Sequence, residues 1–437
     1  MFQTQMLNQV VQGLDPIHSK SINLRPGQVF QGAITQLYPG QLAQLQLGAL
    51  TLTAKLEAQL EKGERYWFRV LGGEGLPRIK VLESVPNHRP NDGGNQLPLQ
   101  QLGLDHTKAN QQVIQRLSQE NLPFTPQNIR DAGNLFEQSQ YSNQQTLNLI
   151  TMMVQRGLPL TNTTFESMAA LNHTQSMAQM MESMVNGLKG QPQLSKVNDQ
   201  LVQMLTSVLN SSGQMTNTND SSNSIDHQIR SFPIQQLIQL LGVHHEADLK
   251  INMQNEQYSQ QQQTMKALLL QFIKQPVHLQ GGLREQAELL LNRITGNQLL
   301  STDSYGPIHH IAVQIPVKWQ EKYKDVMIQW EGKKKSSGQI DKDHCRILLY
   351  LELESLNETV VDVQIQNKIV SLQVFNEHEK PFSIQNLWFP FLKGKLHKLD
   401  YELTSLKWTN PVSENEVKKP PRSGKEYTSY KGVDVRI

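Results

Sequence analysis

Polar and apolar positions change their rhythm twice along the chain. From residue 21 to about 83 the period is two. Val29 to Leu37 reads as a strand and Tyr38-Pro39-Gly40 as a turn. Leu45-Gln46-Leu47 and Leu50-Thr51-Leu52-Thr53-Ala54 alternate on either side of Gly48-Ala49. Tyr66 to Leu71 and Ile79 to Leu82 follow, separated by Gly72 to Pro77. Short strands at this density predict a small barrel of the OB or SH3-like kind. Pro86 to Leu99, rich in Pro, Gly and Asn, reads as a linker.

Between 100 and 300 the rhythm becomes helical and charges thin out. Glu120-Asn121-Leu122-Pro123-Phe124-Thr125 is echoed 36 residues later by Arg156-Gly157-Leu158-Pro159-Leu160-Thr161. Each copy leads into an apolar stripe, Ile129, Ala132 and Leu135 in the first and Phe165, Met168 and Leu171 in the second. Thr125-Pro126 is an N-cap followed by proline at the first helical position, a helix start signal. Met177, Met180, Met181 and Met184 fall on one predicted helix. They read as a packing face, with a flexible partner surface as the alternative. Ser211 to Asp226 lacks the apolar residues a core needs and reads as disordered. Further helices are expected at about 233–242, 256–274 and 282–295.

From 308 to 410 the period of two returns. Five strands are expected, followed by a helix over Phe382 to Leu396, kinked or broken at Pro390, and a last strand from Tyr401 to Trp408. Val361, Val363 and Ile365 alternate with Asp362, Gln364 and Gln366, the mark of a sheet with one dry and one wet face. The order β-β-β-β-β-α-β predicts an antiparallel sheet with one packed helix. The whole chain therefore reads as a multidomain α+β protein. Its expected parts are a disordered 1–20, a small β-barrel at 21–85, a linker at 86–99, a helical region at 100–210 and a disordered linker at 211–227. A second helical region at 228–300, an α+β domain at 305–410 and a tail at 411–437 complete it.

Composition sharpens this picture. The 437 residues leave room for about three domains. Charged residues make up 18% and hydrophobic ones 37%, whereas glutamine alone supplies 54 positions. That favours small folded units joined by polar chain over one core-rich enzyme. A net charge of +2 argues against an acidic tail and against a strongly basic nucleic-acid footprint. Residues 21–83 carry seven Lys/Arg against five Glu. A nucleic-acid- or nucleotide-binding scaffold built on the barrel and its Tyr66, Trp67 and Phe68 is therefore the secondary reading. The single cysteine, Cys345, leaves no internal disulfide. The longest apolar runs are far below the ~18 residues of a membrane span, and Met1 to Val11 lacks the pattern of a secretory signal.

The sequence offers no catalytic motif. It has no Gly-X-Ser-X-Gly, and Ser423-Gly424-Lys425-Glu426 lacks two elements of a phosphate loop. Gly73-Glu74-Gly75 precedes a strand and reads as a hairpin turn. His244-His245-Glu246 and His309-His310 lack metal-ligand spacing, and Cys345 beside His344 reads as a structural cysteine. No cofactor and no metal site is expected. Lys333 to Lys335 read as hairpin lysines protecting a sheet edge.

The C-terminal region resembles the C-terminal domain of the flagellar hook-length control proteins. The resemblance rests on Leu356 and the turn into the strand Thr359 to Ile365. It continues through the strand Val370 to Phe375, the helix Leu387 to Leu396 and the strand Leu403 to Leu406. It covers about 100 residues and is one of pattern; Asn357-Glu358-Thr359-Val360-Val361 stands where the family's turn usually carries Pro and Gly. The resemblance implies a non-enzymatic protein that contacts the cytoplasmic domain of the flagellar type III export gate and influences its substrate choice, with hook or hook-cap subunits as further partners. It implies a cytoplasmic location with export through that pathway as an option, and no membrane insertion. It places the contact at Leu356, Val361, Asp362, Val363, Gln364, Ile365, Leu387 and Leu396.

Overall fold

The computed structural model describes residues 24–48, 50–57, 60–72, 77–82, 99–190, 195–213, 234–243, 245–246, 264–275, 282–301, 308–319, 322–334 and 340–410. The chain divides into two compact units, one containing residues 13–165 and the other 166–419. Each is described by itself.

The first unit begins with five strands, β1 (Val29–Tyr38), β2 (Leu42–Leu47), β3 (Leu50–Leu56), β4 (Arg65–Leu71) and β5 (Arg78–Leu82). They close into a barrel in the order β1-β2-β3-β5-β4, with β3 and β5 parallel. This is the Greek-key order of an OB-type barrel. Closure follows from alternation: Phe30, Ile34, Leu45, Phe68 and Ile79 all turn inward and are buried. Trp67, one residue from Phe68, points the other way and meets the edge of Phe124 at a centroid distance of 6.1 Å. Val29 and Phe124 exchange backbone hydrogen bonds of 2.7 and 3.0 Å, which fastens the helical segment to the barrel. Phe68 and Trp67, candidates for base stacking in the secondary reading, are thus both buried in packing.

Helices α1 (Lys108–Gln119), α2 (Pro126–Gln138), α3 (Asn143–Arg156) and α4 (Asn162–Ala170) come next. The echoed Leu-Pro-X-Thr segment has a clear structural meaning. Thr125 Oγ1 accepts from the N–H of Asn128 and Thr161 Oγ1 from that of Thr164, so each copy is a helix N-cap. In both copies the predicted stripe residues are buried.

The second unit continues with α5 (Met177–Lys189), α6 (Lys196–Gly213), α7 (Ile234–Leu241), α8 (Met265–Ile273) and α9 (Leu283–Leu300). Ser211 to Gly213 form the last turn of α6; the rest of the segment expected to be disordered lies outside the described residues. A six-stranded sheet follows: β6 (Ile308–Trp319), β7 (Lys322–Lys334), β8 (Ile340–Leu353), β9 (Asn357–Gln366), β10 (Ile369–Phe375) and β11 (Glu402–Thr409), in the spatial order β11-β10-β9-β8-β7-β6. Between β10 and β11 runs a π-helical turn, Ile384–Trp388, and then α10 (Phe389–Lys398). Pro390 sits in the first turn of α10, where its missing N–H costs nothing, so the expected break is a change of helix type. Because α10 is a crossover, β11 runs parallel to β10; the other strand pairs are antiparallel.

The boundary expected near 300–305 does not separate two cores. Val313, Ile315 and Ile328 of β6 and β7 belong to the same apolar cluster as Met177, Met180, Met181 and Met184 of α5 and Leu268, Phe272 and Ile294 of α8 and α9. The methionines are core. Alternation along β6 and β7 requires a cover for one face, and these helices supply it.

A buried polar lock joins helices to sheet. Arg293 of α9 and Asp325 of β7 form an ion pair at 3.1 Å with side chains 0% and 1% exposed. Arg293 also donates to Gln314 Oε1 at 3.0 Å and to the Gln175 carbonyl. Asp325 Oδ2 accepts from the N–H of Met177 at 2.7 Å, so a strand carboxylate neutralises the N-terminus of α5. Burial pushes the Asp325 carboxyl up from its ordinary range, while Arg293 and the amides of Met177 and Ala178 pull against it.

Candidate partner-binding surface

β9 and β10 form a hairpin whose turn, Asn367-Lys368, has φ of 49° and 66° at its two central residues, the left-handed pair that a two-residue hairpin requires. This register sends Val361, Val363 and Ile365 to one face beside Val370 and Leu372. With Leu403 and Leu406 of β11 they form a small core beneath Phe389, Leu392 and Leu396 of α10. Four of the eight residues placed at the contact by resemblance are therefore half-buried packing residues.

Asp362 points to the opposite face, expected to be wet, yet its side chain is fully buried. Arg346 of β8 holds it with two hydrogen bonds of 2.9 Å, a fork that matches both carboxylate oxygens. Gln364 donates to Asp362 Oδ2 at 3.3 Å, and Glu331 Oε2 lies 3.9 Å from Arg346 Nη1. Tyr350 is buried on the same strand and burial pushes its hydroxyl pKa up. On this face the charge of Asp362 is paired with that of Arg346, with Glu331 beside it. Leu356 is tied down through its carbonyl, which accepts from Asn376 Nδ2 at 2.7 Å; the same amide lies 2.8 Å from both the Glu358 carbonyl and Thr359 Oγ1. Burial, then Glu377 and Glu352, push the Glu358 carboxyl up.

Leu387 differs from the other seven. It is 64% exposed, and its neighbours Phe382, Trp388, Phe391 and Leu399 are exposed as well. Trp388 and Phe391 stack edge to face at 6.0 Å. The resemblance had placed Leu387 at the contact together with Leu396, on one expected helix. The π-helical turn that ends at Trp388 changes the angular step, so Leu387 leaves the inward face that Leu392 and Leu396 keep.

The two edges of the sheet are also unlike. At β6, Ser301 Oγ donates to the Ala312 carbonyl at 2.8 Å and accepts from its N–H at 3.1 Å, and Asn297 Oδ1 accepts from the N–H of Gln314 at 3.2 Å. The C-terminal turns of α9 close that edge. β11 is paired by β10 on one side and by no other strand among the described residues.

Other candidate chemistry is spent on structure. Cys345 is buried, and burial pushes its thiol up, away from the thiolate. His344 pairs with Asp341 at 3.0 Å. No group of three metal-ligating side chains occurs among the described residues. His244 and Lys335 lie outside the described residues, as do the side chains of His309 and His310. A pocket of about 170 Å³ between Val317, Val326, Leu351 and Leu353 is apolar, and the Lys324 and Glu352 at its rim pair at 3.4 Å. No helix among the described residues is long and apolar enough to cross a membrane.

Fold and surface together define a multidomain α+β protein with, in chain order, an N-terminal closed barrel, a helical segment and a mixed sheet carrying an exposed apolar crossover. No protein-family model matches the chain, and no solved structure matches it. Over 123 residues the chain is 28% identical to a protein of Bacillus subtilis (strain 168) described as uncharacterized protein YlqG. The similar stretch covers 28% of this chain and 21% of that protein, so the chain spans about a fifth of the relative's length.

Proposed function

We propose that this chain is a non-enzymatic protein of the flagellar export system, similar to hook-length control proteins, whose C-terminal sheet meets the cytoplasmic domain of the type III export gate and influences its substrate choice. The observation that carries the contact is the asymmetry of the sheet edges: β6 is closed by Asn297 and Ser301, whereas β11 pairs with β10 and with no other strand among the described residues. A row of available N–H and C=O groups accepts a partner strand, and main-chain pairing of that kind supplies affinity without a pocket. The choice of the export gate as partner rests on the resemblance of residues 356–406. The contact falls at β11, beside the satellite core of Val361, Val363 and Ile365 and not on Asp362 or Gln364, because Asp362 is already engaged by Arg346.

Hydrogen exchange on the full chain, with and without the gate's cytoplasmic domain from the same organism, tests this. The amides of 402–409 are expected to slow on binding. Binding without protection at β11 removes the edge as the contact, and the absence of any binding overturns the reading.

A further inference from the structure

We infer that the crossover between β10 and β11 is a docking surface for an anionic lipid bilayer, holding the protein peripherally at the membrane face. The inference goes beyond the gate contact and rests on a different element.

The segment 380–399 contains Lys380, Lys393, Lys395 and Lys398, and no aspartate or glutamate. Glu379 and Asp400 flank the segment and Asp400 is paired with Lys368, so the positive charge is concentrated on the crossover itself. The same segment holds the most exposed large apolar side chains among the described residues of the second unit. Phe382 is 84% exposed, Leu399 68% and Leu387 64%, and Trp388 and Phe391 are both more than half exposed. The two properties are interleaved: Lys395 Nζ lies 5.4 Å from the centre of the Phe391 ring, and Phe391 contacts Trp388.

The inward side of α10 is occupied, since Phe389, Leu392 and Leu396 pack on the sheet. The outward apolar residues therefore need a separate partner. A protein groove of matching shape accepts aromatics but tends to exclude lysine, which is depleted in protein interfaces. A bilayer surface takes both. Trp and Phe enter the headgroup and acyl boundary, and lysine stems reach up to anionic phosphates. The charge complementarity thus selects an acidic phospholipid surface. The depth is peripheral, since α10, Phe389–Lys398, is far shorter than a span.

Flotation of the full chain with vesicles tests this, using phosphatidylcholine alone and an equal mixture of phosphatidylcholine and phosphatidylglycerol. The chain is expected to float with the mixed vesicles at low salt and not with the neutral ones, and raised salt is expected to release it. Trp388→Ser with Phe391→Ser, and separately Lys393→Gln with Lys395→Gln and Lys398→Gln, are each expected to weaken partition by about tenfold or more with an unchanged circular dichroism spectrum. Trp388→Phe is expected to keep partition but to lose the blue shift of tryptophan emission on binding. Absence of the wild type from mixed vesicles overturns the inference, and so does equal partition by either group of variants. Should the variants instead lose the gate domain while the wild type ignores lipid, the surface seats an acidic protein and the lipid reading falls. A wild type that floats with the mixed vesicles but does not bind the gate domain overturns only the proposed function.

Discussion

At the scale of single residues, the most consequential positions are buried charges whose partners come from distant parts of the chain. Asp325 neutralises Arg293 and the N-terminus of α5 at once. Truncating it to alanine strands a guanidinium in the core, and we expect a loss of about 3–5 kcal/mol in urea unfolding of the 166–410 region. Replacing the pair together, Arg293→Met with Asp325→Leu, is expected to cost much less, because no unpaired charge remains. The adjacent loop adds a pH dependence. His173 Nδ1 accepts from the N–H of Gln175 at 3.2 Å, which requires a neutral ring. Burial, then the charge of Arg293, hold its pKa below the ordinary 6.5. The unfolded chain therefore takes up a proton before the folded one. The contribution is fully present above pH 6.5 and is lost as pH falls through the lower folded value. His173→Gln should flatten the decline in melting temperature below that pH; an unchanged slope would assign it to carboxylates.

At the scale of elements, the packing of α9 against Ser167 and Leu171 of its own unit depends on one glycine. A Cβ at Gly296 would collide with the Ser167 carbonyl and crowd Leu171. Backbone cannot yield as a flexible side-chain tip can, so Gly296→Ala is expected to destabilise by about 1–3 kcal/mol despite alanine's better helix propensity. Thermal melts of the 166–410 region measure this, and a neutral or stabilising result would mean that α9 shifts freely. The helix starts of both units share another device: Thr107, Thr125, Ser142, Ser176 and Thr264 each accept a backbone N–H of the first turn. Such caps fix where helices begin in a chain poor in charge pairs.

At the scale of the whole molecule, the region from 166 to 410 is one folding unit by its core, which draws on α5 to α9 and on β6 to β8. A fragment of 305–410 alone would expose Val313, Ile315 and Ile328 to water. We expect it to aggregate or melt without cooperativity, whereas 166–410 unfolds in a single transition. A cooperative melt of the short fragment would show that the satellite core under α10 suffices.

What the sequence determined by itself is the set of features written in local chemistry. The two-residue period predicted the barrel and the succession β-β-β-β-β-α-β of the sheet, though not that β11 would pair parallel to β10. Leu-Pro-X-Thr marked two helix starts, because short-range conformational preference dominates there. Tertiary structure alone decided which faces are covered. Alternation says that Val361 and Asp362 lie on opposite faces; it does not say that Arg346 will bury Asp362. A continuous helix over Phe382 to Leu396 was expected, but the π-helical turn before α10 puts Leu387 in solvent. One of the helices that cover β6 and β7 also lies far off in sequence: Met177 of α5 and Asp325, joined by one hydrogen bond, are 148 residues apart. Burial is a property of surfaces brought together across such distances, and no local pattern carries it.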